Sequence, residues 1–333
     1  MNYIGSKYSL LDFLSNTIEE VTKIRSGENR TFADLFAGTG VVGARFKQKG
    51  YKVISNDMQY YSYVLNKHAI ENNQKLNIDL LEWLNNIEET EGFIYKNYCP
   101  GSGSERNYFT DYNGKKCDAI RIELERLYQN NEIDQSIYYY YLASLLNSID
   151  KVANTASVYG AFLKQLKKSA IKDLELELVP VIEGAVSGRV YNKNINDLIS
   201  EIKGEILYLD PPYNERQYCS NYHLLETIAR YDAPIIKGKT GLREYAKQKS
   251  LYCSKKTAVQ NFEDIICKAN FKYIFLSYNN EGLMSLETIQ KIMSKYGRYD
   301  IFTTEYRRFK ADKTENRNYK ANATVEYLHC LTK

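Results

Sequence analysis

The chain is predicted to fold as an α/β protein whose mainly parallel sheet carries helices on both faces. Three features support this. Strand-like apolar runs recur with helical stretches between them, the pattern of parallel crossover units. One such run, Thr31 to Phe36, leads through the turn Ala37-Gly38-Thr39-Gly40-Val41-Val42-Gly43 into helical sequence from Ala44 to Lys49. Another, Ile206-Leu207-Tyr208-Leu209, stops at Pro211-Pro212. Two prolines cannot continue a central strand, because they lack amide donors and hold φ fixed.

In chain order, strands are expected at Phe32 to Phe36, Lys52 to Ser55, Val190 to Asn192, Ile206 to Leu209, Tyr273 to Ser277, Asp300 to Tyr306 and Thr324 to Leu331. An amphipathic helix, marked by Leu10, Leu11, Phe13, Leu14 and Ile18, precedes the first strand. The last two strands are separated by a polar, basic loop, so they are expected to form a C-terminal antiparallel hairpin at one edge. Between the second and third strands the chain is far longer than the ~10–15 residues of a crossover helix. Its first part is helical (Leu80, Leu81, Trp83, Leu84, Ile87), and the turn formers Cys99 to Ser104 follow. Helices are then expected over Asp118 to Gln129 and Ile133 to Ile149, the second holding Tyr138 to Tyr141 at a spacing that suits packing. The expected division is a core of residues 1–79 and 189–333, interrupted by a mainly helical domain of residues 80–188.

Composition limits the function. The 333 residues are 44% hydrophobic and 26% charged, enough for about two domains at ~150 residues each. No signal peptide or apolar span of membrane length is present, so no membrane partner is expected. Six cysteines without a C-x-x-C pair, and three histidines (His68, His223, His329) without ligand spacing, point to reduced thiols in a cytosol and to no metal. The net charge of +4 is small, but basic residues cluster. Lys237 to Lys256 holds Lys237, Lys239, Arg243, Lys247, Lys249, Lys255 and Lys256, with Tyr245 and Tyr252 between them. Tyr306 to Lys320 is similar, and both suit phosphate contact. Most of the 31 tyrosines read as compositional bias.

Two loops carry the chemistry. Asp210-Pro211-Pro212-Tyr213 stands at the carboxyl end of a buried strand, where ligands sit in open α/β sheets. A carboxylate, a rigid carbonyl and an aromatic ring there suit a planar substrate with an exocyclic amine. Gly38-x-Gly40-x-x-Gly43 permits close approach of a ligand to the backbone, and Asp57 after the next strand can accept from ribose hydroxyls. An adenosine-containing cofactor is expected.

These motifs, with Tyr3-Ile4-Gly5-Ser6-Lys7 ahead of them and Asp34 before the glycines, resemble the alpha-class, Dam-like DNA adenine-N6 methyltransferases, in the subset from type II restriction–modification systems. The resemblance covers roughly two-thirds of the chain, the insert being matched more weakly. It implies a Rossmann-like class I methyltransferase sheet and a target-recognition insert. It also implies S-adenosylmethionine as cofactor, double-stranded DNA with a flipped-out adenine as substrate, a cognate restriction endonuclease as a possible companion, and a bacterial cytoplasm. Asp210, Pro211 and Tyr213 become the catalytic residues: the Asp210 carboxylate and the Pro211 carbonyl accept the adenine N–H bonds and Tyr213 stacks on the base. Tyr3, Lys7, Asp34, Gly38, Gly40, Asp57, Asp197 and Asp210 become cofactor-binding, Asp197 facing the cofactor's adenine or else capping a helix. The insert offers Tyr108, Lys115, Lys116, Asn154, Thr155, Tyr159, Lys164, Lys167 and Lys168 for DNA contact. Two other readings stay open: an RNA base N-methyltransferase, which can carry the same tetrad, and a nicotinamide-dependent oxidoreductase, suggested by the glycines alone.

Overall fold

A computed structural model describes residues 3–27, 30–73, 79–184, 186–307 and 323–333. They form seven strands: β1 (Thr31–Asp34), β2 (Lys52–Asn56), β3 (Arg189–Tyr191), β4 (Lys203–Leu209), β5 (Asn270–Asn279), β6 (Arg298–Arg307) and β7 (Ala323–Thr332). The helices, in chain order, are α1 (Leu11–Thr22), α2 (Val41–Gln48), α3 (Tyr60–Asn66), α4 (Leu81–Asn86), α5 (Phe93–Tyr98), α6 (Asp111–Gln129), α7 (Gln135–Val152), α8 (Ile195–Leu198), α9 (Tyr218–Asn221), α10 (His223–Arg230), α11 (Lys255–Lys268) and α12 (Leu286–Met293). Among the described residues, no helix is long and apolar enough to cross a membrane.

Two compact units result. One comprises Gly5–Met58, Gly184–Gln217 and Lys249–Lys333 and holds the whole sheet. The strand order is β3-β2-β1-β4-β5-β7-β6. β1 to β5 run parallel, and β7 enters antiparallel between β5 and β6. The antiparallel β6–β7 pair at this edge is the C-terminal hairpin expected from the sequence. A dinucleotide-binding sheet of the 3-2-1-4-5-6 type has no reversed strand at that place, so the sheet departs from the one the oxidoreductase reading expects. Ile206 to Leu209 of β4 are all buried, as expected for a central strand covered on both faces. Ala33, Leu207, Leu209, Ile274 and Leu276 pack against Phe262, Ile265 and Ile266 of α11 and Ile289, Ile292 and Met293 of α12. Each of the leucine, isoleucine, methionine and phenylalanine side chains among them contributes about 1.5–3 kcal/mol. Phe32 stacks on Phe46 of α2, with Tyr51 at its edge. Gly40 ends the glycine turn at φ 79°, a left-handed conformation that glycine adopts without strain, and α2 starts immediately after it.

The other unit comprises Met1–Ile4, Gln59–Glu183 and Tyr218–Gln248. Besides 80–183 it takes in α3, α9 and α10, which the sequence reading assigns to the core. The physical reason is their apolar faces: Tyr61, Val64 and Leu65 of α3 and Leu224, Leu225 and Ile228 of α10 join one cluster with Leu142, Leu145 and Ile149 of α7. The α6 helix begins at Asp111 rather than Asp118, because the Thr110 hydroxyl caps it by accepting from the Asn113 amide at 3.2 Å. The Asp134 carboxylate does the same for α7, accepting from Ile137 at 2.9 Å. Tyr138, Tyr139 and Tyr141 are buried packing residues. The α5 helix was not foreseen.

Candidate active site

β1 and β4 are neighbours, and the chain winds away from them in opposite directions across the sheet. Their carboxyl ends therefore mark a topological switch point. Asp34 is the last residue of β1, and Asp210 directly follows β4.

Asp210 is not alone. The Lys7 ammonium lies 3.0 Å from its Oδ1 and 3.3 Å from Oε1 of Glu326 on β7, and donates to the Tyr213 hydroxyl at 2.8 Å. The Tyr213 hydroxyl in turn lies 2.9 Å from Asp210 Oδ1, 2.5 Å from Glu326 Oε1 and 3.3 Å from the Ser277 hydroxyl of β5. Ser277 also donates to Glu326 at 2.9 Å. Burial raises the Asp210 pKa to about 6, Lys7 opposing the rise and Glu326 adding to it. Burial works against the charge on Lys7, yet Asp210 and Glu326 together hold its pKa above the ordinary lysine value.

The glycine turn forms the second part. Gly38 donates its amide to Asp57 Oδ2 at 2.9 Å, and Gly43 donates to Asp34 Oδ2 at 3.2 Å. Asp34 Oδ1 is buried without a hydrogen-bond partner among the described residues. Burial, with Asp210 beside it, pushes the Asp34 pKa up to about 8 against the pull of the Gly43 amide, and Asp57 adds a smaller rise. Asp210 and Glu326 share one buried cation, Lys7, while Asp34, beside Asp210, has no cation among the groups that shift its pKa. The unmet Asp34 acceptor fits a ligand bearing positive charge, as S-adenosylmethionine does on its sulfonium and ammonium groups.

The structure thus brings together Lys7, Asp34, Gly38, Gly40, Asp57, Asp210, Pro211 and Tyr213 within the sheet-bearing unit. Asp197 also belongs to this unit. It lies exposed in α8, and the cap of that helix is Asn194, whose side chain accepts from Asn196 at 3.0 Å. The capping role considered for Asp197 is therefore filled. Tyr3 belongs to the helical unit, where its ring stacks on Tyr222 at 4.7 Å and its hydroxyl meets that of Tyr61 at 3.0 Å. Sequence reasoning missed Glu326 and Ser277. A signal existed for Glu326: β7 alternates so that it shares the inward face with Leu328 and Cys330.

The profile of the D12 class N6 adenine-specific DNA methyltransferases matches residues 3–292. The chain belongs to this family. The D12-class chain is 56% identical to the type II methyltransferase M.NlaIII of Neisseria lactamica, covering 100% of itself and 99% of that protein. It is 44% identical to the type II methyltransferase M.FokI of Planomicrobium okeanokoites over 92% of itself and 49% of that protein, so it spans about half of this relative. A solved S-adenosylmethionine-dependent methyltransferase from Agrobacterium tumefaciens superposes with a TM-score of 0.37 at 10% identity, covering 100% of this chain and 64% of that one, a likeness too slight to argue from. The family match decides for DNA adenine over an RNA base.

In this D12-class chain, the residues expected to meet DNA divide differently from the sequence reading. Tyr108, Lys116, Asn154, Thr155 and Tyr159 are buried. The Asn154 amide donates to the carbonyls of Asn107 and Leu163, both at 2.9 Å, and its oxygen accepts from Lys167 N at 3.0 Å. Tyr159 donates to Asp150 at 2.7 Å. These side chains hold the loop that follows α7. Lys115 pairs with Glu91, and Lys167 donates to the Thr155 carbonyl. Lys164 and Lys168 remain exposed, as does Gln165. In the first basic segment Arg243 is buried in a two-pronged pair with Asp232, and Tyr252 is buried against Phe36. The other six basic residues of that segment are exposed. The second basic segment lies almost wholly outside the described residues.

Proposed function

We propose that this chain methylates adenine N6 at a specific duplex DNA site as the modification enzyme of a type II restriction–modification system, in a bacterial cytoplasm and beside a cognate endonuclease. The names of its relatives support the system. The observation that carries the chemistry is the Asp210 carboxylate: Lys7 holds one oxygen, while Oδ2 takes no hydrogen bond from the described residues.

S-adenosylmethionine supplies a methyl group made electrophilic by its sulfonium. Adenine N6 is a poor nucleophile, because its lone pair is delocalised into the ring. With Asp210 Oδ2 and the Pro211 carbonyl accepting its two N–H bonds, nitrogen becomes pyramidal and its lone pair free to attack. N6 would take the methyl group that the bound cofactor supplies, the C–S electron pair staying with sulfur, and Asp210 would pass the proton lost from N6 to water. Catalysis rests on orientation and fixed charge. Tyr213 supplies a ring for the flipped base. For the cofactor, Asp34 would meet the ammonium, Asp57 the ribose hydroxyls and Asp197 the adenine amine. Gly38 and Gly40 would admit the methionine portion, with Lys7 beside it. Residues 80–188 read the target site, with Lys164, Gln165 and Lys168 at the DNA, and exposed Lys247, Lys249, Lys255 and Lys256 bind phosphate.

Single-molecule sequencing of a plasmid from expressing cells is expected to show N6-methyladenine at one sequence context. Asp210→Ala should remove it, with a loss of roughly 10²–10³ in single-turnover rate. A folded, ligand-binding Asp210→Ala enzyme of near wild-type rate would refute the mechanism.

A further inference from the structure

We infer that Glu326 is a positioning residue for methyl transfer: it orients Tyr213 and shares Lys7, so that Asp210 presents a single open oxygen to the target base. The inference rests on the site reading proposed above.

Glu326 stands on β7, the reversed strand, opposite Asn279 of β5 and Thr304 of β6. It is 3% exposed, on a strand face that it shares with Leu328 and Cys330. A carboxylate in such a place is costly unless it is paired and hydrogen-bonded, and an apolar residue of similar size could serve packing as well. Three donors converge on its Oε1: the Tyr213 hydroxyl at 2.5 Å, the Ser277 hydroxyl at 2.9 Å and the Lys7 ammonium at 3.3 Å.

Counting protons shows what this does. Tyr213 has one hydroxyl proton and two carboxylates in reach, Glu326 at 2.5 Å and Asp210 at 2.9 Å. The shorter contact, to the more buried partner, takes it. Lys7 has three hydrogens and three oxygens in reach: Tyr213 Oη, Asp210 Oδ1 and Glu326 Oε1. With Glu326 absorbing the tyrosine proton, Asp210 keeps only the Lys7 contact on Oδ1, and its other oxygen stays open. The groups facing Asp210 are Lys7 from the N-terminal segment, Tyr213 from its own loop, Tyr208 of β4, Asp34 of β1 and Glu326 of β7. Lys7 is the one cation among them, and Glu326 divides its charge with Asp210.

The test uses the full chain and its Glu326→Gln, Glu326→Asp, Tyr213→Phe and Asp210→Ala variants, with the double variant E326Q/Y213F. Single-turnover methylation of a duplex is followed from pH 5 to 9, beside thermal unfolding and S-adenosylmethionine affinity. Glu326→Gln is expected to bind cofactor normally and to lose about 10-fold or more in plateau rate. Its acid limb should move below the wild-type position near pH 6, because Asp210 has lost an anionic neighbour. Glu326→Asp keeps the charge and should leave that limb in place even if Glu326→Gln fails to fold. Adding Tyr213→Phe to Glu326→Gln should cost little more, since both act through one hydrogen bond. An unchanged plateau, a stationary acid limb in Glu326→Gln, or losses that multiply in the double variant would overturn the inference. So would a drop in melting temperature and rate together with no movement of the limb, which is what a packing role predicts. An active Asp210→Ala enzyme would sink the site reading itself; an inactive one beside a normal Glu326→Gln would sink the Glu326 role alone.

Discussion

The Gly38 amide donates to the Asp57 carboxylate at 2.9 Å, tying the turn after β1 to the acid after β2. Asp57 is therefore both a candidate ribose ligand and a brace for the glycine turn. A second brace is Asn192, which donates to the Asp57 carbonyl at 2.7 Å.

Asp57→Ala should weaken S-adenosylmethionine binding by more than loss of one ligand contact, about 1.5–3 kcal/mol, because the turn also loosens. Asp57→Asn keeps an acceptor for Gly38 and should fall between Asp57→Ala and wild type. Titration calorimetry on the three proteins checks the ranking; equal affinity for Asp57→Ala and Asp57→Asn would mean that the brace is irrelevant.

Asp34 predicts a pH effect of definite sign. Its folded pKa is about 8, against about 3.9 in an unfolded chain. Between these values the folded state holds a proton that the unfolded state has released, so stability falls as pH rises from about 4 to about 8. Asp34→Asn removes this slope. Without ligand the variant should be more stable than wild type at pH 9 by at least about 1 kcal/mol, yet bind S-adenosylmethionine poorly. Denaturant melts at pH 6 and pH 9 test this, and an Asp34→Asn variant that kept the wild-type pH slope would contradict it.

The loop after α7 separates holding residues from presenting ones. Asn154→Ala should cost about 1–3 kcal/mol of stability, since two backbone carbonyls and an amide lose a buried partner. Its residual methylation should fall with stability while the preferred site stays the same. Lys164→Ala and Gln165→Ala should leave the melting temperature unchanged and alter site preference or DNA affinity. Sequencing of methylated sites alongside thermal melts distinguishes the two groups; a changed site preference in folded Asn154→Ala would reverse the assignment.

The sequence by itself determined the seven strands, the reversed hairpin and the two functional loops. Each rests on a local cause: apolar alternation, two prolines that end β4, and glycines that can hold positive φ at 38 and 40. Asp210 and Asp34 were legible for the same reason, since a residue directly after a buried strand sits at the sheet's ligand-bearing edge. Tertiary structure decided what burial and long-range pairing control. It put Glu326, far beyond Asp210 in the chain, on the same ammonium, and set Lys7 between them. It turned Asn154, Tyr108 and Tyr159 inward, although polar and aromatic residues in an insert look equally suited to DNA. It also drew α3 and α10 into the helical unit, because their apolar faces match the α7 surface, a complementarity that no local pattern encodes.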